Sequence, residues 1–514
     1  ADAEEDEGEL RKIKDEIKLI FAEVLSLKPE DISDTAHFIY DLGGDSLSSL
    51  SVFIKAEEKY GVLVNDTEYY GCENVNDLAR LLQTKIKGGE LALQDRAQSE
   101  SESAASQIAE FENSREYKSF LEQRKIEEAV GNPFFIAHDS TLSDTSIVDG
   151  KRVLNFGSYN YLGLSGHPET MRVAKEAIDK YGTSASGSRL IAGEKPLYRE
   201  LEQTIAEWKH TEDAIVLVGG HSTNVNIVGN FCNQHDLILY DALSHNSITQ
   251  GCQLSPAETK AFPHNDTNAL ETILKANRDK YEKVLIVVEG VYSMDGDIAP
   301  IPEFVRIKRA YGAFLMVDEA HSSCVIGARG GGVDDYFGLA PDDIDIKMGT
   351  LSKGLGTCGG YIAGSRPLVE YLRYNVPGFV FSVGISPPLA AAAKRAIELI
   401  MTDSSMVREL HDNIAAFVSI AREKGFNTCL AEESAIIPVL VGRDEDAALL
   451  SRLMLENGVF VPPAVFPAVP RNQARLRFCV ISNHKRDQIK TALETLERLV
   501  QENNIRLPGV EHTQ

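Results

Sequence analysis

The sequence predicts a two-part protein, in which a small all-α bundle precedes a larger α/β domain that has a mostly parallel sheet and an α+β C-terminal lobe. Three observations predict this architecture. The first ninety residues show helical periodicity, a polar Ser/Ala/Glu-rich segment follows them, and the rest of the chain alternates short β-rich apolar runs with amphipathic segments. A chain of 514 residues is also long enough for more than one domain.

The N-terminal domain, predicted at residues 8–88, consists of helices. Apolar residues recur at intervals of three and four within residues 10–26, which predicts the first helix. A second helix is expected over residues 46–60, with Asp45 at the N-cap position, and a third over residues 75–86.

Residues 89–108 have the composition of a flexible linker because they are polar and rich in Ser, Ala and Glu. Fully extended, they would span about 60 Å or more at roughly 3.3 Å per residue. This reach would allow the first domain to visit a site on the second.

The second domain, predicted at residues 109–506, alternates strands and helices, as in βαβ units around a buried parallel sheet. We expect its large part at residues 165–395 and its C-terminal lobe at residues 396–506. The predicted strands are 214–218, 237–240, 284–288 and 314–317. The predicted helices are 167–181, 266–280, 302–311, 388–402, 405–424, 444–457 and 484–503. In such sheets, ligands bind at the carboxyl ends of the strands.

The charge and composition exclude several classes of protein. A net charge of -25 argues against nucleic acid as a partner. Residues 1–90 contain 21 acidic and 10 basic residues, which suits recognition by basic patches on partners or simply favours solubility. No apolar stretch approaches the roughly 18 residues of a membrane span, and no signal peptide is recognisable. Seven scattered cysteines without a CxxC pair favour the cytoplasm and no metal site. The chain begins with Ala, which is compatible with a piece of a longer protein.

Ser46 follows the predicted N-cap, where backbone N–H groups and the helix dipole favour a phosphate. Taken alone, the segment could also be a plain helix start. In an acidic helical bundle, however, the run from Asp41 to Leu47 (DLGGDSL) closely resembles acyl or peptidyl carrier proteins. This resemblance covers residues 8–88. It implies a four-helix bundle in which Ser46 carries 4′-phosphopantetheine, whose thiol holds an acyl group as a thioester.

Lys353 lies in a Gly- and Ser-containing turn, where a lysine can lose its charge and form an imine. Asp318 ends a predicted strand, a position from which a carboxylate can hold a protonated pyridine nitrogen. His245 and Ser293 follow two other strands, and Gly220 begins a Gly-rich turn suited to phosphate. Each of these residues alone is more often structural than catalytic.

In this order and spacing, the second domain resembles the α-oxoamine synthases. These pyridoxal 5′-phosphate enzymes of fold type I include 8-amino-7-oxononanoate synthase, 2-amino-3-ketobutyrate CoA ligase, 5-aminolevulinate synthase and serine palmitoyltransferase. The matching stretches are Asn160–Leu164, Gly187–Leu190 with Gly193, Asp241–Ile248, Glu289–Gly296, Val317–His321, Thr350–Lys353 and Arg475–Arg477 to His484.

The resemblance implies a role for each matching residue that contacts the cofactor ring. Lys353 forms a Schiff base with the cofactor and then moves protons. Asp318 pairs with the pyridine nitrogen, and His321 bonds the 3′-oxygen of the ring. His245 stacks on the ring face and is the best candidate for the acid near the attacked carbonyl. Ser293 lies close to the ring oxygen.

The resemblance also implies residues for the phosphate and the amino acid. Backbone groups of Gly220 and His221, together with Thr350, would hold the phosphate. Arg477 and Asn160 would bind the carboxylate of the amino acid, the arginine through a bidentate fork.

Three positions depart from the family pattern. Tyr198 replaces a frequent His, and the pair Gly220 and His221 replaces a small residue or Cys followed by Phe. The segment 381–388 differs from a Ser-x-Ser-x-Pro-Pro run that contacts the phosphate of the neighbouring subunit, a role that would fall to Ser382. The variants at residues 183–186 and 193–196 are most similar to α-oxoamine synthase domains attached to polyketide assembly lines. Carrier-fused members also occur in prodigiosin-type pathways.

The resemblance implies a decarboxylative Claisen condensation that gives an α-aminoketone, CO2 and a free thiol. The substrates would be serine, alanine or glycine and an acyl thioester on Ser46. Further partners would be a phosphopantetheinyl transferase, an acyl-loading enzyme or upstream carrier, and a second copy in a homodimer. Two alternatives remain: an acyl-CoA-dependent synthase with a regulatory carrier domain, and a non-catalytic carrier-docking scaffold.

Overall fold

The computed structural model describes residues 2–25, 27–38, 41–42, 44, 46–62, 64, 72–89, 110–114, 116–118, 120–121, 124, 132–466 and 468–509. The chain divides into two compact units. One unit comprises Ala1–Ala129, Leu239–Leu243 and Lys260–Ile273, and the other comprises Val130–Ile238, Ser244–Thr259 and Leu274–Gln514.

The N-terminal part contains the three helices that the periodicity predicts. They are α1 (Asp2–Leu25), α2 (Ser46–Tyr60) and α3 (Val75–Gly89). Helix α1 begins earlier than predicted. Its first residues are acidic, which suits a helix N-terminus, but they lack the apolar periodicity on which the prediction depended. The three helices share a core of buried apolar side chains that includes Ile17, Phe21, Val52 and Leu78.

Three predictions for this part concern residues outside the described ranges. The first is that Asp45 is the N-cap of α2. The second is the flexible linker at 89–108, of which only Gly89 is described. The described residues up to Gly89 contain three α-helices, and residues 65–71 are outside the description. The fourth helix of the bundle and the domain boundaries therefore stay predictions.

A seven-stranded sheet forms the centre of the larger part of the chain, in the order β3-β9-β8-β7-β6-β4-β5. Its strands are β3 (Asp213–Leu217), β4 (Leu237–Asp241), β5 (Glu258–Phe262), β6 (Val284–Glu289), β7 (Phe314–Asp318), β8 (Ile346–Thr350) and β9 (Gly360–Gly364). Strands β6, β7 and β8 pair in parallel, whereas β9 is antiparallel to both β8 and β3. All residues of β4, β6, β8 and β9 are buried, as expected for a sheet covered on both faces.

Each of the seven predicted amphipathic segments corresponds to one helix of this part, with bounds that agree to within three residues, and the described residues form further helices that no predicted segment covers. They are α4 (Pro168–Tyr181), α5 (Pro196–Trp208), α6 (Gly220–Phe231), α7 (Asn246–Leu254), α8 (Thr267–Asn277), α9 (Ile301–Tyr311), α10 (Val333–Phe337), α11 (Arg366–Asn375), α12 (Pro377–Val380), α13 (Pro387–Thr402), α14 (Ser405–Glu423), α15 (Asp444–Glu456) and α16 (Arg486–Glu502). None of the helices within the described ranges has the length and apolarity to cross a membrane.

Two small sheets complete the fold. Strands β1 (Thr145–Val148) and β2 (Lys151–Asn155) form a hairpin that β11 (Val459–Phe460) extends. Asp149 and Gly150 connect the hairpin, both with positive φ, as a two-residue turn requires. Strands β10 (Ile436–Gly442), β13 (Ala474–Cys479) and β12 (Pro463–Ala464) form the second small sheet, which carries Arg477.

Candidate active site

The carboxyl ends of β6, β7 and β8 bring three polar side chains to one edge of the sheet. Glu289 ends β6, Asp318 ends β7 and Thr350 ends β8. Glu289 and Asp318 are direct partners in the parallel ladder. This is the edge where α/β sheets bind ligands.

A cavity of about 180 Å³ opens at this edge, and it contains most of the residues that the sequence predicts for the cofactor. Seven of the predicted residues line it: Gly220, His221, His245, Asp318, His321, Thr350 and Lys353. Asn224, Ser247, Glu289, Ala320, Met348 and Ser352 complete the lining.

The amine of Lys353 lies 2.7 Å from Nε2 of His321. Desolvation by burial lowers the pKa of Lys353 to about 8, although the Asp318 carboxylate opposes this shift. Burial also lowers the pKa of His321 to well below its ordinary value. The other ring nitrogen of His321, Nδ1, is 2.8 Å from the hydroxyl of buried Tyr161. The site therefore keeps His321 neutral and makes the Lys353 amine easier to deprotonate.

Asp318 has a hydrogen-bond donor on each carboxylate oxygen. The backbone N–H of Ala320 donates to Oδ1 (2.8 Å), and the amide of Asn224 donates to Oδ2 (2.6 Å). Asp318 is only 4% exposed. The two donors fix the orientation of the Asp318 carboxylate, so it can pair with a positively charged ring nitrogen.

His245 is the N-cap of α7, and its Nδ1 accepts a hydrogen bond from the Ser247 N–H. The His245 backbone N–H donates to Glu289 Oε1 at 2.5 Å, which fixes the residue to the end of β6. Desolvation lowers the pKa of His245, although Asp318 opposes this shift. The His221 ring lies 6.1 Å from the His245 ring, and its Nε2 is 3.3 Å from Asn246 Oδ1.

The turn from β3 into α6 can accept a phosphate. Gly220 is the first residue of α6, so the free N–H groups of a helix N-terminus lie here. A Cβ atom at Gly220 would lie 2.7 Å from Thr350 Oγ1, so a side chain at this position would fill the space between the two elements. Together with Lys353 and Asp318, this turn fits the phosphate, aldehyde and pyridine nitrogen of pyridoxal 5′-phosphate.

Arg477 is held in place by three interactions. Its Nε donates to the backbone oxygen of Ser293 (2.8 Å), and Nη1 donates to the Tyr159 hydroxyl (3.0 Å) and to Cys479 Sγ (3.6 Å). The charged ends of Arg477 and Lys353 lie 5.1 and 5.5 Å from the Tyr159 ring centroid. The charged groups of Arg477 and Lys353 thus both lie close to the ring of Tyr159.

The structure does not bring every predicted residue into the cavity. Both polar atoms of the Asn160 side chain are hydrogen-bonded to backbone groups. Its Nδ2 donates to Leu142 O (2.9 Å), and its Oδ1 accepts from Ser165 N (3.1 Å). Ser293 contributes its backbone oxygen to Arg477. The Ser382 hydroxyl donates to Val383 O at 3.3 Å and is not part of the cavity lining. Ser46 is the first residue of α2, as predicted. The roles of these residues stay predictions.

Several residues at the site have no predicted role, among them Tyr159, Tyr161, Asn224, Ser247 and Glu289. Glu289 had a usable signal because it ends a strand as Asp318 does. The others carry no such signal. Tyr198, one of the departures from the family pattern, is buried, and its hydroxyl donates to Ile385 O at 2.5 Å.

Comparisons with known proteins agree with this arrangement. Residues 151–496 match the family described as aminotransferase class I and II, and residues 15–82 match the phosphopantetheine attachment site. An 8-amino-7-oxononanoate synthase of Thermoanaerobacter pseudethanolicus is 39% identical over 367 residues, which cover 71% of this chain and 92% of the relative. One of Alkaliphilus oremlandii is 40% identical over 360 residues, covering 70% and 91%. The solved Sphingomonas wittichii serine palmitoyltransferase aligns with a TM-score of 0.73 and 31% identity, covering 76% of this chain and 99% of that structure.

Proposed function

This chain belongs to the α-oxoamine synthases, pyridoxal-phosphate acyltransferases of fold type I that form carbon–carbon bonds, and it also carries a phosphopantetheine attachment domain; from this premise we propose that it condenses a small amino acid with an acyl thioester on its own carrier domain. The observation that carries the proposal is the presence of both attachment regions, residues 15–82 and 151–496, in one chain.

The proposed reaction joins the amino acid to the acyl group and releases CO2 and a thiol. A bond forms between the amino acid Cα and the acyl carbonyl carbon, the thiol of the phosphopantetheine arm leaves, the carboxylate departs as CO2, and one proton is taken up. Bound pyridoxal 5′-phosphate supplies an electron sink for the electron pair at Cα. The α-aminoketone is then released.

In this proposal the residues of the cavity hold the cofactor and move protons. Lys353 supplies the amine that binds the aldehyde, and Asp318 holds the ring nitrogen. His321 donates to the ring oxygen, with Ser293 nearby. Residues of the β3–α6 turn, Gly220 and His221, hold the phosphate with Thr350, and Ser382 of a second copy contributes across the subunit boundary.

The amino acid would bind through its carboxylate. Arg477 is buried and oriented by Tyr159 and by the Ser293 backbone, so its guanidinium presents a fixed geometry. Asn160 is the second proposed contact. His245, which lines the cavity, is the proposed acid at the attacked carbonyl. We favour serine or glycine as the amino acid.

Ser46 is the proposed site of 4′-phosphopantetheine, attached by a phosphopantetheinyl transferase and acylated by a loading enzyme or an upstream carrier. The start of α2 at this serine supports the proposal, because a phosphate is favoured at a helix N-terminus. Cytoplasmic localisation and membership of a secondary-metabolite pathway of the polyketide or prodigiosin type are further parts of the proposal.

A homodimer is supported by an exposed apolar surface formed by Leu190, Ile191, Phe381 and Val383. Ile191 is 85% and Phe381 86% exposed. The two segments are joined, since Ser188 and Val383 form a β-bridge. Large exposed apolar side chains on adjacent segments are typical of subunit interfaces.

The test is to load the phosphopantetheinylated chain with an acyl group and to add amino acid in the absence of CoA. We expect CO2 and an aminoketone, detected by mass spectrometry across a panel of amino acids. Ser46→Ala is the matched control and should give neither product. If acyl-CoA restores full activity to Ser46→Ala while the loaded chain stays inactive, the CoA-dependent alternative is correct.

A further inference from the structure

A directed chain of hydrogen bonds joins Asp318 to His245 through Asn224 and Ser247. Asn224 Nδ2 donates to Asp318 Oδ2 (2.6 Å) and to Ser247 Oγ (2.9 Å). Ser247 Oγ is in turn 2.7 Å from His245 Nδ1. Asn224 and Ser247 are only 2% and 1% exposed, so little water competes for these bonds.

The donor and acceptor roles along this chain follow from its two ends. The Asp318 carboxylate can only accept, so the Asn224 amide must direct its NH2 group toward Asp318. Both amide N–H groups are then used, and Ser247 Oγ accepts the second one. The single hydroxyl proton of Ser247 is therefore available for His245 Nδ1.

A second donor acts on the same ring nitrogen. The backbone N–H of Ser247 points at His245 Nδ1 at 3.2 Å, and a backbone N–H cannot reverse its direction. A proton on Nδ1 would face this N–H, whereas a lone pair accepts from it. Neutral His245 must then carry its proton on Nε2.

We propose that Asn224 and Ser247 are positioning residues that hold neutral His245 in the Nε2-protonated tautomer, which prepares its Nε2–H to donate a hydrogen bond within the cavity. This inference rests on the proposed role of His245 as the acid of the condensation. The Asp318 carboxylate thus has two functions: it faces the cofactor and, through three hydrogen bonds, orients the imidazole.

The tautomer can be measured directly. Protein labelled with ring-15N histidine is prepared with the cofactor bound, and the His245 signals are identified by their loss in His245→Gln. We expect the 15N shift of Nδ1 to be that of an unprotonated nitrogen and that of Nε2 to be protonated. A protonated Nδ1 in the neutral ring would overturn the inference.

Ser247→Ala tests the hydroxyl, and Thr249→Val is its matched control. Thr249 is on the same helix, and its buried hydroxyl donates to Asn246 O (2.9 Å). Its backbone N–H donates to His245 O (3.4 Å), a bond that Thr249→Val keeps. Ser247→Ala should raise the population of the Nδ1-protonated tautomer by up to about tenfold, since the net value of one hydrogen bond is of that size. It should also lower kcat by a similar factor with little change in KM.

The pH dependence separates positioning from a purely structural role. A donor on Nδ1 stabilises the neutral ring, so its loss in Ser247→Ala should raise the pKa of His245 in a ring-15N titration. Other charged or titratable groups face His245 from neighbouring elements, but the 15N signal reports His245 itself; these groups are Asp318, Glu289, Lys353, His221 and Arg477. Ser247→Thr, which keeps the hydroxyl, should restore the wild-type titration. If Ser247→Ala and Thr249→Val titrate alike, Ser247 is only structural and the inference is wrong.

A double-mutant cycle tests whether the hydrogen bonds between Asp318 and His245 act as a unit. If Asn224 acts on His245 through Ser247, the variant combining Asn224→Ala with Ser247→Ala should show hardly more tautomer change than Ser247→Ala alone. Additive changes in the tautomer population would show that Asn224 does not act through Ser247. Failure of the proposed function is distinguishable, because the 15N experiments need no substrate: a chain with the expected tautomer that forms no aminoketone contradicts the function and leaves the inference standing.

Discussion

Lys353 shows how burial changes the chemistry of a single side chain. Its pKa is lowered from 10.5 to about 8 because the amine is desolvated. At pH 7 about a tenth of such an amine is neutral, compared with fewer than one in a thousand for a solvated lysine. Neutral His321, 2.7 Å away, can accept a hydrogen bond from the amine. The site thereby supplies a nucleophile at neutral pH without a separate base.

The first prediction concerns the pH dependence of cofactor attachment. Only the neutral amine of Lys353 can attack the aldehyde, and the lowered pKa means that this form predominates above about pH 8. The rate at which the cofactor-free chain acquires visible absorbance should rise with pH through this value and then level off. Stopped-flow spectroscopy measures it, and Lys353→Ala should acquire no such absorbance. A rate that still rises steeply above pH 10 would show that Lys353 behaves as a solvated lysine.

At the scale of elements, the turn from β3 into α6 combines a helix N-terminus with a close approach to β8. Gly360 on β9 is also close, because a Cβ there would lie 2.3 Å from Thr223 Oγ1. Three adjacent elements therefore leave room only for glycine at these positions. The resulting space at the N-terminus of α6 suits the phosphate of the cofactor.

The second prediction tests this turn. Gly220→Ala should weaken binding of pyridoxal 5′-phosphate at least about tenfold, because the new methyl group would lie 2.7 Å from Thr350 Oγ1. Gly219→Ala is the control, since its Cβ would meet only Ser222 Oγ at 3.3 Å and its φ of -160° suits any residue. Fluorescence titration of the cofactor-free variants gives both dissociation constants. Equal constants would mean that the turn does not bind the phosphate.

A buried ion pair joins the C-terminal end of α5 to the loop after β7. Lys209 Nζ lies 2.7 Å from Glu319 Oε1, and neither side chain is exposed. Lys209 also donates to Gly331 O at 2.7 Å. The third prediction is that Lys209→Ala lowers the free energy of unfolding by about 3 to 5 kcal/mol, because the Glu319 carboxylate is left buried without its cation.

Urea denaturation measures this loss, and a surface pair provides the control. Lys490 and Glu494 are 3.7 Å apart and more than half of the Lys490 side chain is exposed, so Lys490→Ala should cost less than about 1 kcal/mol. If both variants unfold at the same urea concentration, the buried pair contributes nothing beyond a surface pair.

At the scale of the whole molecule, the fourth prediction concerns the apolar surface of Leu190, Ile191, Phe381 and Val383. Placing a charge in it with Phe381→Asp should convert the proposed dimer into a monomer, as light scattering after size-exclusion chromatography would show. Leu430→Asp is the control, because Leu430 is also exposed (62%) but lies outside this surface. A Phe381→Asp variant with wild-type mass would exclude this surface as the interface.

The sequence by itself determined ten of the described helices, four strands of the large sheet and the chemical class of the site. Helix α2 begins at Ser46 and ends at Tyr60 as predicted, and β7 ends at Asp318. Such features can be predicted because hydrophobic periodicity and strand-end positions depend on residues close together in the chain. Lys353 and Asp318 were recognisable for the same reason, since each lies in a short motif.

The tertiary structure alone decided which side chains act on these residues. Asn224 and Asp318 are 94 positions apart, and Arg477 and Tyr159 are 318 apart, yet each pair is hydrogen-bonded. Asn160, by contrast, has an amide suited to a carboxylate, but both polar atoms of this amide are hydrogen-bonded to backbone groups. An amide or hydroxyl has no preferred partner in the sequence. Its partner is whichever group the packing of distant strands and helices places within about 3 Å.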